Sequence, residues 1–320
     1  MKKLIGALAA LTLSLAAQSQ TYPSKPIRFV VPFAPGGTSE IVARSVAQEL
    51  TTQLGQSVYV ENKAGGAGTI AMGDVKNSPA DGYTIVLGHV GTLAVNPYAM
   101  KNHSYDVDKD FIPVALLARV PNVFVVNAEA VKAKDLKEFI ALAKAKPGSL
   151  NYGSAGNGSS GHLAFEYLKL VTGADIQHVP YKGTGAAIAD LLSGQVQLMF
   201  ADATLAVPNI LAGKVIPLGT SSATQTLLIA SVPPVAATVP GFDWRAWQGI
   251  VAPAAAPPAV VDRLAAEMQR IQATADFRDQ LLRFGMEPMP SNTPQEFAAI
   301  IRAEQPRWAK AVKDSGAKVD

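Results

Sequence analysis

The sequence predicts a two-lobed α/β protein, and three observations carry that expectation. Short apolar runs of strand length alternate with segments whose apolar residues recur at helical spacing. Glycine-rich junctions sit between predicted strand and predicted helix in both halves of the chain. Passages marked by proline near residues 120 and 240 divide the alternation into two sets. Strands that alternate with helices imply a largely parallel sheet in each lobe.

The first run, IRFVVPF at 27–33, is bounded by Pro26 and by Pro35-Gly36-Gly37, so it reads as a buried strand ending in a turn. Residues 38–54 follow with Ile41, Val42, Val46 and Leu50 at helical spacing, and Glu40 lies in the first turn, where an acid suits the helix dipole. The pattern repeats as a strand at 58–61, a glycine-rich stretch at 64–68, a helix from Thr69 and a strand at 83–87. Between 111 and 127 two apolar runs, FIPVALLA and NVFVVNA, flank Arg119-Val120-Pro121, which reads as the chain crossing between lobes. A second set continues with helix 135–146, strand 150–153, the loop SAGNGSSGH, helix 163–171, strand 176–180, helix 185–192, strand 196–200, helix 205–211 and strand 215–220. Pro233, Pro234, Pro240 and Gly241 mark a linker, 247–252 is a further strand, and 258–273 and 293–312 are amphipathic helices. The expected organisation is one discontinuous lobe of residues 20–121 plus 242–320 and a second lobe of residues 122–241. A ligand cleft belongs where strand carboxyl ends meet helix amino termini.

Composition narrows the function. A chain of 320 residues that is 48% hydrophobic and 17% charged has apolar material for about two folded domains, which excludes disorder. Lys and Arg number 28 against 25 for Asp and Glu, so no basic footprint for nucleic acid is present. The absence of cysteine removes disulfides, thiolate metal sites, cysteine nucleophiles and a lipid-anchored amino terminus. At the start, Lys2 and Lys3 precede an apolar run at 4–17, and Ala17 and Ser19 supply small residues. This is the pattern of a secretory signal over 1–19, cleaved after Ser19, and the run is shorter than the roughly 20 residues that span a bilayer. The mature protein is expected in the periplasm.

Three junctions are chemically alike. They are Pro35-Gly36-Gly37-Thr38-Ser39, the stretch from Gly153 through Ser154, Gly156, Asn157, Gly158, Ser159 and Ser160 to Gly161, and Lys182-Gly183-Thr184-Gly185. Small residues let backbone approach a ligand, free amides at a helix start point outward, and hydroxyls add donors, so an anion such as a carboxylate can be held without a charged side chain. His89 follows a strand, where its ring either faces the cleft or bonds to the turn backbone. Glu40 either meets a ligand's donor or serves the helix dipole, and Asp202 either edges the cleft or caps the helix predicted from 205. Phe33, Tyr181, Trp244 and Trp247 either stack on a ligand or fill core.

Enzyme and cofactor signatures do not hold up. Gly66-Ala67-Gly68-Thr69-Ile70-Ala71 fits a dinucleotide pattern, yet residues intervene after the preceding strand and the next strand ends in Leu87-Gly88-His89 without a ribose-binding acid. No phosphate-loop lysine motif occurs, and GTSSA at 219–223 only grazes a nucleophile elbow. His162 and Glu166 fall four apart on a predicted helix, but two ligands do not make a metal site. No cofactor, no metal and no catalysis are expected. A periplasmic hydrolase or dehydrogenase and a ligand sensor for a signalling partner are the weighed alternatives to a binding protein.

The segments YPSKPIRFVVPFAPGGTSEIVAR, VENKAGGAGTIA, ADGYTIVLG, LNYGSAGNGSSGHLA, HVPYKGTGAAIADLLSGQVQLMF and WAKAVKDSG, in this order, resemble the Bug family, the periplasmic solute receptors of tripartite tricarboxylate transporters. The resemblance implies a Venus-flytrap binding protein of the type II periplasmic class, a monomer that closes on a small carboxylate and delivers it to the large and small membrane subunits of a permease. It also implies that residues 35–39 and the stretch from Ser154 to His162 hold the carboxylate, partly through water, with Asp202 as a further cleft residue. Two departures stand out. Glu40 replaces a common aspartate, and the segment Gly88-His89-Val90-Gly91-Thr92-Leu93 carries an imidazole where relatives are richer in hydroxyls, so a more apolar, aromatic carboxylate is a candidate cargo.

Overall fold

The computed structural model describes residues 22–101 and 103–315, and the predicted signal segment, with Lys2, Lys3 and Ser19, lies outside the described residues. The first strand, β1 (Ile27–Val31), buries Ile27, Phe29, Val30 and Val31 and pairs in parallel with β2 (Val58–Asn62) and β3 (Thr84–His89). Between them, α1 (Thr38–Leu54) turns Val42, Val46 and Leu50, spaced by one helical turn, onto the sheet. Each such side chain contributes about 1.5–3 kcal/mol by leaving water. The 3₁₀ turn Gly66–Gly68 leads into α2 (Thr69–Lys76). Strand β4 (Phe111–Val120) completes this stretch of the first sheet, and β5 (Asn122–Asn127) opens the second, so Pro121 alone separates strands of different sheets.

The second sheet contains β5, β6 (Asn151–Ser154), β7 (Gln177–Pro180), β8 (Leu198–Asp202) and β9 (Val215–Thr220) in the order β7-β6-β8-β5-β9. Its helices are α3 (Leu136–Ala145), α4 (Ser160–Thr172), α5 (Thr184–Ser193) and α6 (Ala203–Leu211). The chain then returns through β10 (Ala246–Pro253) to the first sheet, whose order is β11-β4-β10-β3-β1-β2, with β11 at Glu287–Pro288. Helices α7 (Pro258–Ala273), α8 (Ala275–Arg283) and α9 (Pro294–Ser315) follow. Among the described residues no helix is long and apolar enough to cross a membrane.

The sheets are mixed rather than largely parallel. Strand β10 runs antiparallel to β3 and β4, and β5 runs antiparallel to β8 and β9. Both strands have just arrived from the other sheet, so each begins at the junction side where its neighbours end. Helix α4 starts at Ser160, three residues before the predicted 163, because Ser159 Oγ accepts from His162 N and caps it. The turn Gly91–Val95 and helix α8 are further elements that the apolar spacing did not mark.

An aromatic core fills the second lobe. Phe124 meets Phe139, Phe165 and Phe200 at ring-centroid distances of 4.8, 5.0 and 5.1 Å, and Phe242 from the return passage stacks on Phe200 at 5.7 Å. At the joint, Trp244 of that passage lies 5.0 Å from Tyr167 on α4 and 5.0 Å from Trp308 on α9.

Candidate ligand cleft

The lobes meet through glycine-rich junctions. Ala34 N donates to the carbonyl of Lys182 at 3.0 Å, joining the loop after β1 to the loop after β7. A Cβ on Gly185 would lie 2.8 Å from the Gly36 carbonyl, so glycine at 185 permits this approach. Part of the glycine content therefore serves contact between lobes as well as ligand approach.

Beneath that contact lies a tight inner compartment between the lobes. Phe33, Gly37, Thr38, Ser39 and His89 line it from the first lobe, joined by Gln248 at the start of β10. Ser159, Ser160, Thr184 and Asp202 line it from the second lobe, joined by Asn122, Ala155, Gly161, Met199 and Phe200. A roomier outer compartment shares Phe33 and Ala155 with it. Gly156, Asn157 and Tyr181 line that space, with Pro32, Gly65–Gly68, Met100, Pro180 and Lys182. Residues 66–68 of the glycine motif at 66–71, which resembled a dinucleotide loop, thus belong to a wall of the outer compartment.

Hydrogen bonds decide which groups of the inner compartment remain available. Asn122 Nδ2 donates to Asp202 Oδ1 at 2.7 Å and Thr184 Oγ1 donates to Asp202 Oδ2 at 2.9 Å. Ser160 Oγ donates to Asn122 Oδ1 at 2.9 Å. The protons of Ser160 and Thr184 are therefore committed within the second lobe. On the other wall, Gln248 Nε2 donates to Ser39 Oγ at 3.0 Å, which leaves the Ser39 proton free to donate. Thr38 Oγ1 and Gln248 Oε1 are buried with no hydrogen-bond partner. The amides that open α1 and α4 add the positive ends of two helix dipoles. No Lys or Arg lines the inner compartment among the described residues.

His89 is both a turn histidine and a cleft residue. Gly91 N donates to His89 Nδ1 at 2.9 Å, so the neutral ring carries its proton on Nε2. Burial pushes its pKa down to about 4, which keeps it neutral. Burial also raises the Asp202 pKa above the usual carboxylate value, against the pull of its hydrogen-bond donors.

Several expected site residues do not reach either compartment. Pro35 and Gly36 are exposed at the lip. Glu40 turns back on its own helix, accepting from Gly36 N at 2.7 Å and pairing with Arg44 at 2.6 Å, because its length reaches that turn more readily than the cleft. The Thr92 hydroxyl is exchanged with the His89 backbone, accepting from N and donating to O, both at 3.1 Å. Ser154 Oγ lies 2.7 Å from His178 Nε2 and accepts from Gly156 N at 3.1 Å. His162 stacks on His178 at 4.2 Å and accepts from Gly158 N at 3.0 Å, so His162 and Gly158 brace the loop from behind. Gly183 is buried ahead of α5, outside both linings. Trp244 and Trp247 are buried outside both linings and fill core. Glu166, the other member of the pair considered with His162, accepts from Tyr152 Oη at 2.7 Å and pairs with Lys169 at 2.8 Å.

Sequence reasoning missed Asn122 and Gln248. Gln248 is the one amide in the apolar strand β10, Asn122 opens β5, which also ends on an amide, Asn127, and both strands enter from the other lobe. The rule of strand carboxyl ends overlooks them because antiparallel strands present their amino ends to the cleft.

Comparison with known proteins adds the family. Residues 42–317 match the family model described as "Tripartite tricarboxylate transporter family receptor". The "UPF0065 protein in tcbD-tcbE intergenic region" of Pseudomonas sp. strain P51 is 37% identical over 309 residues, covering 96% of this chain and 91% of that one. The structure of the R. palustris protein Rpa4515 with adipate superposes with a TM-score of 0.90 at 34% identity, covering 93% of this chain and 99% of that one. The structure of the periplasmic binding protein BugD gives 0.88 at 32% identity, covering 93% and 99%. The mixed sheets, the two lobes and these matches together make the chain a two-lobed solute-binding protein of the Bug family, the receptors of tripartite tricarboxylate transporters.

Proposed function

We propose that this protein captures a small carboxylate between its lobes in the periplasm and delivers it to the large and small membrane subunits of a tripartite tricarboxylate-type permease, acting as a monomer without catalysis. In this reading residues 20–121 plus 242–320 form one lobe and 122–241 the other, and the signal segment ends at Ser19. The observation that carries it is the inner compartment itself, where the starts of α1 and α4 converge with the Ser39 proton, the unpartnered Thr38 Oγ1 and His89 Nε2–H. That is a set of neutral donors and dipoles suited to an anionic head group. The body of the cargo, aliphatic or aromatic, extends into the outer compartment between Phe33, Met100 and Tyr181, with Lys182 at the lip.

A thermal-melt screen against aliphatic, amino and aromatic carboxylates at about millimolar concentration tests it. A cargo present at about 1,000 times its Kd adds roughly 4 kcal/mol, on the order of 5 °C or more for a chain of this size. The expected result is a shift confined to one subclass of carboxylate. A flat response across the whole panel contradicts the reading.

A further inference from the structure

Asp202 is a difficult neighbour for an anionic cargo. It lines the inner compartment, and both of its oxygens accept hydrogen bonds from neutral donors, Asn122 on β5 and Thr184 on α5. Thr38 on α1 approaches it from the first lobe without completing a hydrogen bond. The turn at Gly285 packs behind it on the start of α6, and the carboxylate beyond that turn, Glu287, is engaged by Thr226 Oγ1 at 3.0 Å. No cation offsets its charge on the compartment wall among the described residues. Two carboxylates in one water-poor space cannot both stay ionised without a large electrostatic cost.

The other titratable group on the wall does not remove that cost by protonation. His89 already accepts from Gly91 N through Nδ1, so its neutral form presents Nε2–H as a donor, and a second proton would break the Gly91 bond. Asp202 presents only lone pairs until a proton is added. We infer, on the reading that the cleft binds carboxylates, that the receptor takes up one proton from solvent with its cargo, forming an O–H bond on Asp202 that bridges the two carboxyl groups. The burial that raises the Asp202 pKa acts in the same direction.

The test is titration calorimetry of the full protein with adipate, succinate and benzoate, all ionised across pH 6.5–9, in phosphate and in Tris. The expected result is a Kd that rises with pH, by up to about tenfold per unit, together with a buffer-dependent enthalpy corresponding to uptake of about one proton. Asp202→Asn should flatten the pH profile, since its amide donates without a proton, whereas His89→Gln should keep the slope. A pH-independent Kd with no buffer dependence in the wild-type protein overturns the inference, as does a slope that survives Asp202→Asn or vanishes in His89→Gln. Should Asp202→Asn fail to fold, the wild-type slope and buffer dependence decide the matter with His89→Gln. Binding without proton uptake counts against the proton alone, while no binding of any of the three probes counts against the receptor reading as well.

Discussion

Thr38 and Ser154 are both buried hydroxyl residues beside glycine-rich turns, yet their surroundings give them opposite tasks. The Thr38 oxygen faces the compartment with no partner, whereas Ser154 is held between His178 and the Gly156 amide. Thr38→Val should weaken carboxylate binding by roughly tenfold or more, because a hydrogen bond to a charged group contributes about 1.5–3 kcal/mol, while the unloaded protein melts within about 2 °C of wild type. Ser154→Ala should do the reverse, lowering stability by about 1–2 kcal/mol and leaving Kd within about twofold. Calorimetry and thermal melts on the two variants separate these outcomes. At this scale the sequence located the hydroxyl-rich loops but not the direction of each hydroxyl. Ser154, Ser159 and Ser160 look alike in a string; only the position of His178, brought alongside by β7, assigns the first to the scaffold. Glu40 is drawn away from the cleft by a similar local partner, since Arg44, one helical turn on, holds its carboxylate.

At the scale of elements, the junctions after β1 and β7 form a matched pair. Gly185 is the second residue of α5 and packs against the Gly36 carbonyl from the other lobe. Gly185→Ala adds a methyl group at 2.8 Å from that oxygen, which wedges the lobes apart, yet it also improves helix propensity by up to about 1 kcal/mol. Because the atom it meets is backbone, the clash outweighs that gain: the expected variant is less stable without cargo and binds carboxylate about tenfold more weakly, with a larger radius of gyration by solution scattering when cargo is present. Strand and helix runs such as β1, α1, β9 and α7 were legible from apolar spacing because each buries one face against a sheet. The direction of β5 and β10 was not legible, since it depends on which lobe the chain has just left. Asn122 and Gln248 escaped notice with it. The turn Gly91–Val95 also escaped, because all five of its residues are buried and its sequence therefore carries no period.

For the whole molecule, acid is a predictable weakness. His89 and His162 are buried and neutral, each with a pKa pushed down to about 4, and His178 beside them is lowered to about 3. A depressed histidine pKa means that the unfolded chain binds the proton more readily, so stability falls as pH drops from about 6.5 toward 4 and is fully present above that range. At pH 5 the loss is on the order of 2 kcal/mol for each of His89 and His162. Denaturant titrations at pH 7.5 and pH 5 should reveal it as a lower midpoint at the more acidic pH. The two-lobed plan was legible from Pro121 and from the proline-rich return, but the tie between lobes was not, because Tyr167, Trp244 and Trp308 are far apart in sequence. These three rings span the joint, one on α4, one in the return passage and one on α9. Two of the three tryptophans in the chain, Trp244 and Trp308, thus sit where the lobes join. Indole emission is sensitive to small changes in ring contact and hydration, so a movement of one lobe against the other should register in the native tryptophan emission, through rings that line neither compartment.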